Sequence, residues 1–441
     1  MRHSSRNPPR RPWGSERGRS VGILDEGERQ FIDLYMHMIG RSEVPRRFHF
    51  WSCMSLLAAC VADRVWVKAD IATKIYPNLY VFLVGPSGSG KEQAIKVVLK
   101  LVAEQQSKVN PYAGKMTGPA MWEYLSKSGE SEVEGRGKHK TVTTRNPCVY
   151  FVTEELGACV RSGDLGQDLI ATMTAFYVRP PLMVDGTRQH GFVKLIDPCV
   201  NWLAGTTDEW MLRSVPKDAV EGGFVARVQV VRGQRNYAER FPRMIYPDDY
   251  EQVRAHLMSR IEDLLALEQG EFTLTDEAMA VHDAWYLNAK PPADSSLLPS
   301  FNRADTLIYK LALILAIAEW PGRESVNEDG EIVYDCKIHD RHIKEAISLW
   351  DDLVWDMPET MKMANANPQS QDVEIVRKVV KKEESVLRSV LMQKVASRGI
   401  NKDRLDRALE TLLAEESIED HSEMGRGNKP RVWYTWEGGG I

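Results

Sequence analysis

The sequence predicts an α/β fold with a smaller helix-and-hairpin module at its C-terminal end. Three observations carry that expectation. An apolar run, Val81–Val84, meets a glycine-rich turn and then the helix-like run Ala94–Leu101, so a buried strand feeds directly into a helix. Two further strand-like runs, Cys148–Thr153 and Val200–Thr207, end in acidic or polar residues, and largely apolar runs without alternation suit strands buried on both faces of a parallel sheet. Beyond Asn365 the composition changes, and amphipathic stretches precede two short strand-like ones.

The turn after the first strand reads Gly85-Pro86-Ser87-Gly88-Ser89-Gly90-Lys91, which is the G-x-x-x-x-G-K spacing of a phosphate-cradling P-loop. Glycines let backbone N–H groups curl around phosphate oxygens, and the helix N-terminus adds partial positive charge. Lys91 would reach the outer phosphates as a point charge. The expected ligands are ATP and Mg²⁺. The next position of the motif calls for Ser or Thr, whose hydroxyl binds magnesium, and here it is Glu92. A carboxylate is a hard-cation ligand, but it is longer and charged. Either Glu92 holds the metal in an altered geometry or hydrolysis is weakened.

The second strand closes on Glu154-Glu155, the paired acids of a Walker B motif. In that assignment Glu154 helps hold the metal and Glu155 polarises the attacking water; the plainer alternative is a strand with an acidic exit. The third strand ends at Thr206-Thr207, where Thr206 or its neighbour suits a polar sensor beside the γ-phosphate, with Asn201 at the other end. Gly222-Gly223-Phe224 leads to Arg227, a candidate arginine finger. Its alternative is a surface salt bridge.

At 441 residues the chain has room for two or three domains. Hydrophobic content of 43% and charged content of 27% are ordinary for a soluble globular protein. A net charge of -5 argues against coating nucleic acid through bulk charge, so such binding needs local patches. The six cysteines are scattered with no C-x-x-C pair, which reads as reduced core thiols and not as a disulfide frame or zinc site. The N-terminus lacks the apolar core of a signal peptide, and the longest apolar run, Leu311–Ala318, is far short of a bilayer span. The expectation is a cytoplasmic protein without a membrane partner.

Residues 1–25 read as a disordered basic arm, since the first twenty carry six arginines against one acid. It is either a solvated tail or a nucleic-acid tether. Residues 26–75 show helical spacing (Phe31, Leu34, Tyr35, Met38, then Phe48, Trp51, Met54) and read as a lead-in to an ATPase core at 76–240. Within the core, Ser126–Asn146 reads as a long surface loop. Pro180–Pro198 reads as a hairpin turning at Asp185-Gly186. Arg188 and His190 at its tip and Lys194 on its return strand are DNA-binding candidates, against an ordinary exposed hairpin.

Residues 241–364 are expected to be helical, with Arg303 a second nucleotide sensor or, more simply, a structural residue. Residues 365–371 are a linker by composition. Residues 372–441 read as a winged helix: a first helix around Val386-Leu387 and Val390-Leu391, and a second over Lys402–Glu415 capped by Asn401. Strands at Ser417–His421 and Arg431–Trp436 complete it. Lys402, Arg404 and Arg407 on the second helix, with Arg426 and Lys429 on the wing, are candidates for DNA phosphates. Acids and bases nearly balance in this segment, so a protein-docking role stands beside that one.

The lead-in Phe48-His49-Phe50-Trp51, Ser55-Leu56-Leu57 and Tyr76-Pro77-Asn78-Leu79-Tyr80, running into the P-loop and the later motifs, resembles a family of phage and prophage primase/helicase-like ATPases. The resemblance implies a RecA/AAA+-like P-loop NTPase core in a homo-oligomeric ring. Such a ring would act on single-stranded or forked DNA in phage or mobile-element replication, with replication proteins as partners. By position, Lys91 matches the family's phosphate-binding lysine, Glu154 and Glu155 its Walker B acids, and Arg227 its finger, while Glu92 breaks its Ser/Thr. No primase site and no zinc ribbon is visible in the sequence. Two rivals accompany the motor: an ATP-switched DNA-binding or loader protein with little turnover, and an interaction protein with a vestigial nucleotide site.

Overall fold

The computed structural model describes residues 30–437 apart from 71–72, 105–108, 136–139, 161–163, 188–190, 215–222, 236, 238–240, 242, 295–296, 321–335, 366–367, 397–399, 416 and 425–429. The chain divides into two compact units between Ala364 and Asn365.

The first unit opens with helices α1 (Phe31–Met38) and α2 (Arg46–Val61), then the short strands β1 (Val65–Lys68) and β2 (Lys74–Ile75). Residues Phe48–Val61 of α2 are all buried, as befits a helix whose sequence is apolar all round and which the core encloses. Next come β3 (Tyr80–Val84), α3 (Lys91–Ala103), β4 (Pro111–Tyr112), α4 (Gly118–Leu125), β5 (Glu130–Glu134), β6 (Thr141–Arg145) and β7 (Cys148–Thr153). The chain continues through α5 (Leu156–Cys159), α6 (Asp164–Tyr177), β8 (Leu182–Thr187), β9 (Gly191–Ile196), β10 (Cys199–Thr206), α7 (Asp208–Ser214) and β11 (Val228–Arg232). A helical region follows: α8 (Tyr250–Leu265), α9 (Asp276–Asn288), α10 (Leu298–Phe301), α11 (Ala304–Glu319) and α12 (Asp340–Asn365), with short strands β12 (Gly270–Glu271), β13 (Thr273–Leu274) and β14 (Lys337–Ile338).

The main sheet has the order β11-β3-β10-β7-β4, all pairings parallel. The α/β expectation is met, and the reason is visible in β3 and β10, which are buried at every position. Strands buried on both faces need helices on both sides; α2, α3 and α6 all pack against β10. Trp202 of β10 is the hub. Its ring lies 4.9 Å from Phe82, 5.2 Å from Phe151 and 5.8 Å from Tyr80 between centroids, and its indole N–H donates to Thr153 Oγ1 at 2.9 Å.

A second sheet, order β5-β6-β9-β8, corrects two expectations. Residues 126–146 are not a plain loop, because β5 and β6 form there and β6 pairs in parallel with β9. Asp185-Gly186 is not the hairpin turn. Both residues lie within β8, and the register runs on to Thr187 opposite Gly191. Leu195 is fully buried from β9, and burying that face fixes the register more firmly than the turn signal does.

The second unit comprises α13 (Pro368–Glu383), β15 (Ser385–Leu387), α14 (Arg388–Ala396), α15 (Lys402–Ala414), β16 (Ile418–Met424) and β17 (Pro430–Trp436), with sheet order β15-β17-β16. It has its own core, including Val376, Val380, Leu391, Leu405 and Leu412. Asn401 caps α15 as expected, its side chain accepting from Arg404 N at 3.0 Å. Two boundaries differ. The expected linker is helical where described, since α12 ends at Asn365 and α13 starts at Pro368, a residue pre-set for a first helical turn. Val386-Leu387 belongs to β15 and not to the helix that follows.

One lysine ties the helical region to the sheet. Lys310 of α11 is buried; its Nζ donates to Asn78 O at 2.9 Å and Asn78 Oδ1 at 2.7 Å, and lies 4.4 Å from the centre of the Tyr177 ring. Burial lowers its pKa to about 7 from 10.5. Between those values the unfolded chain binds the extra proton, so this group makes stability rise with pH, and the gain is lost as pH falls toward 7. The slope it contributes is up to about 1.4 kcal/mol per pH unit. Denaturant titrations from pH 7 to 10 should show that slope in the natural chain and a flatter one in Lys310→Met; equal slopes would refute the assignment.

Candidate functional site

Parallel pairing puts the carboxyl ends of β3, β7, β10 and β11 on one edge of the main sheet, the edge at which open α/β sheets bind ligands. A cavity of about 430 Å³ lies there. It is lined by the loop and helix start from Ser87 to Gln93, by Glu154 and Glu155, by Thr207, and by Glu43, Val44 and Arg235.

The glycine loop needs left-handed backbone at two places, Gly88 with φ 78° and Gly90 with φ 91°. They differ in surroundings. A Cβ on Gly90 would come within 2.7 Å of Val44 Cγ2, whereas one on Gly88 would meet nothing within 4 Å. Lys91, the first residue of α3, is buried and curls back over the loop. Its Nζ donates to Gly85 O at 2.6 Å, Pro86 O at 2.8 Å and Ser89 Oγ at 3.3 Å. Burial pushes its pKa down, while the negative charges of Glu155 and Asp208 pull it up.

The acids arrive from two directions. Glu154 and Glu155 follow the last residue of β7, and burial raises the pKa of both. The ammonium of Lys96 opposes that rise at Glu154, and Lys91 opposes it at Glu155. Glu92 projects from the first turn of α3 and is ion-paired with Lys96, whose hydrogen bond holds the Glu92 carboxyl below its usual range. Lys96 Nζ is also 3.9 Å from Glu154 Oε2. Among the described residues no cluster of three or more His, Cys, Asp or Glu is placed to hold a metal. Glu92 and Glu154 nevertheless offer carboxylate oxygens on one wall of the cavity, which fits a hard cation that takes one or two carboxylates and completes its shell with phosphate and water.

The structure thus brings together the loop residues, Lys91, Glu92, Glu154 and Glu155. It separates others. Thr206 is buried with its hydroxyl donating to Thr207 O at 3.2 Å; of the two threonines considered, the one on the cavity is Thr207 and not Thr206. Asn201 is buried at the middle of the sheet, accepting from Leu79 N at 3.0 Å. Arg227 precedes β11, whose first residue pairs with Tyr80, so it stands at the amino edge, beyond the length of β3 and roughly 13 Å or more from the glycine loop. There its Nη1 donates to Gly223 O at 2.7 Å, and burial and then the nearby Arg303 lower its pKa. Arg303 donates to Pro299 O at 2.8 Å. Neither arginine belongs to the cavity.

Of the DNA-binding candidates, Arg188, His190, Arg426 and Lys429 lie outside the described residues. Lys194 is exposed on β9. Arg404 does not face outward as a free cation. It makes two hydrogen bonds of 2.7 Å to Asp372, which is buried, and so fastens α15 to α13. Arg407 Nε donates to Asp403 O at 3.2 Å. Lys402 lines a cleft together with Arg388, Ser389 and Arg431, and two of those cations were not anticipated. Also missed were Lys96, which the i,i+4 spacing from Glu92 could have indicated, and the ion pair of Arg235 with Glu43 at the rim, which nothing local announces. No helix among the described residues is long and apolar enough to cross a membrane.

The sequence matches no protein-family model and no curated protein.

The two left-handed glycines predict unequal costs. Gly88→Ala should lose about 1 kcal/mol from backbone strain alone, and Gly90→Ala a further 1–3 kcal/mol, roughly, from overpacking against Val44. Unfolding midpoints of both variants check the order, and Val44→Ala should restore part of the Gly90→Ala loss.

Proposed function

We propose that the first unit is a P-loop ATPase with a RecA/AAA+-like core, and that the protein is a helicase-like, ATP-driven motor acting on DNA in phage or mobile-element replication. One observation carries the reading: a single cavity at the carboxyl edge of a parallel sheet gathers a left-handed glycine loop, the lysine that follows it, and a pair of acids from the strand two places away. Its volume is within the usual range of small-molecule sites.

The residues divide the work. Backbone N–H groups from Ser87 to Lys91 cradle the phosphates at the start of α3. Lys91 turns from the carbonyls of Gly85 and Pro86 to the outer phosphates, exchanging neutral acceptors for charged ones. Glu155 accepts a proton from the attacking water; its pKa, raised by burial, brings it closer to the operating pH than an exposed carboxylate would be. Glu92 and Glu154 would hold Mg²⁺, which supplies charge neutralisation on the β- and γ-phosphate oxygens when bound. Thr207, which lines the cavity, would orient the γ-phosphate. Arg227 is too far from its own subunit's loop to act there, so in this reading it completes a neighbour's site in a homo-oligomeric ring. The second unit, with a winged-helix order of elements, would contact DNA through the cleft that Lys402 and Arg431 line, beside Arg388 in its ion pair with Asp406.

A second reading, an ATP-switched DNA-binding or loader protein, is favoured by Glu92 alone, because a carboxylate beside phosphates weakens turnover. ATPase rates with and without single-stranded DNA separate the two. The motor predicts DNA-stimulated hydrolysis, loss of nucleotide affinity by about tenfold or more in Lys91→Ala, and a kcat lower by roughly 10²–10⁴ with binding intact in Glu155→Gln. Glu92→Ser should raise the rate. Negligible hydrolysis in all conditions, with ATP still bound, would replace the motor with the switch; no binding at all would leave only an interaction protein.

A further inference from the structure

Glu92 occupies the place where a hydroxyl is expected, and the structure shows what accompanies it. One helical turn further along α3, Lys96 pairs with Glu92 and reaches toward Glu154, at 3.9 Å, from the neighbouring strand end. Three side chains from two elements therefore form a carboxylate–ammonium–carboxylate bridge, of which the two acids line the cavity. Without the ammonium, two carboxylates would face each other beside the phosphate loop, and like charges at that separation repel. Lys96 is about half exposed, with 52% of its side chain accessible, and its ammonium is paired with these acids.

We propose that Lys96 is a resident counter-cation which takes part of the place a divalent metal would fill: it offsets one of the two charges of Glu92 and Glu154 and holds the two acids together. It is a positioning residue. A divalent ion enters by displacing it, so the two carboxylates bind such ions weakly. A nucleoside triphosphate, by contrast, binds with little help from a divalent ion, because Lys96 keeps the two carboxylates from such an ion while Lys91, which lines the cavity, meets the phosphates. Magnesium dependence in this site is thus set by a lysine that the usual hydroxyl does not require. The inference rests on the nucleotide reading for its second half only; competition between Lys96 and a divalent ion concerns the two carboxylates alone.

The test uses the full chain and Lys96→Met, whose folding is checked by its unfolding midpoint. Mn²⁺ binding without nucleotide, followed by electron paramagnetic resonance, should be about tenfold tighter in Lys96→Met than in the natural chain. Adding Glu92→Gln to Lys96→Met should abolish that gain. A fluorescent ATP analogue should bind the natural chain with nearly the same affinity in Mg²⁺ and in EDTA, and Lys96→Met with at least about tenfold preference for Mg²⁺. Unchanged Mn²⁺ affinity in Lys96→Met would overturn the proposal. Mn²⁺ tightening without any analogue binding would instead uphold the counter-cation and remove the nucleotide reading.

Discussion

Parallel pairing of β10 with β3 on one side and β7 on the other is the constraint on which the rest of the first unit depends. Leu203 stands opposite both Val81 and Val152, so three strands end at nearly one level and release their loops into the same crevice. The pairing is held by Trp202, whose ring stacks on Phe151 of β7 and meets Tyr80 and Phe82 of β3 edge-on. A one-residue slip of β10 would turn its side chains to the opposite faces and break the indole hydrogen bond to Thr153. Glu154 follows that threonine directly. The core contact that fixes register therefore also fixes where the acids emerge.

The strand, loop and helix around Lys91 were legible because each carries a local signal: an unbroken apolar run, left-handed glycines, and helical periodicity. The acids at 154 and 155 were legible because they terminate such a run. What local signals could not supply is the side of an element that meets the cavity. Thr206 and Thr207 are equivalent as letters, yet the strand buries the first and presents the second. Arg227 has the composition of a finger, and only the sheet order reveals that it stands at the opposite edge. β5 escaped notice because all five of its residues are exposed, leaving no alternation to read. Its partner β6 pairs with β9, about fifty residues on, which no local window contains.

The C-terminal unit repeats the lesson at the level of charge. Counting cations along α15 favours Lys402, Arg404 and Arg407 equally, but Asp372, thirty-two residues earlier, claims Arg404. That carboxylate is nearly inaccessible, and a buried acid needs a bidentate partner to avoid the cost of an unpaired charge. Arg388 is likewise paired with Asp406. Cations that belong to ion pairs stabilise the fold first, and the exposed positive charge is narrower than the sequence implies.

Lys91 and Lys96 of α3 carry the same charge in opposite surroundings, and the proposed roles follow from that difference. Lys91 is buried and satisfied by neutral carbonyls, so a phosphate oxygen offers it a stronger partner at almost no loss; burial also means it meets that partner in a medium where charge interactions are less screened. Lys96 is exposed and already faces two carboxylates, so a phosphate must compete with acids for it. The first lysine should therefore reorganise on contact with any triphosphate, and the second only when the acids find another cation. Order of engagement follows from what each ammonium holds beforehand.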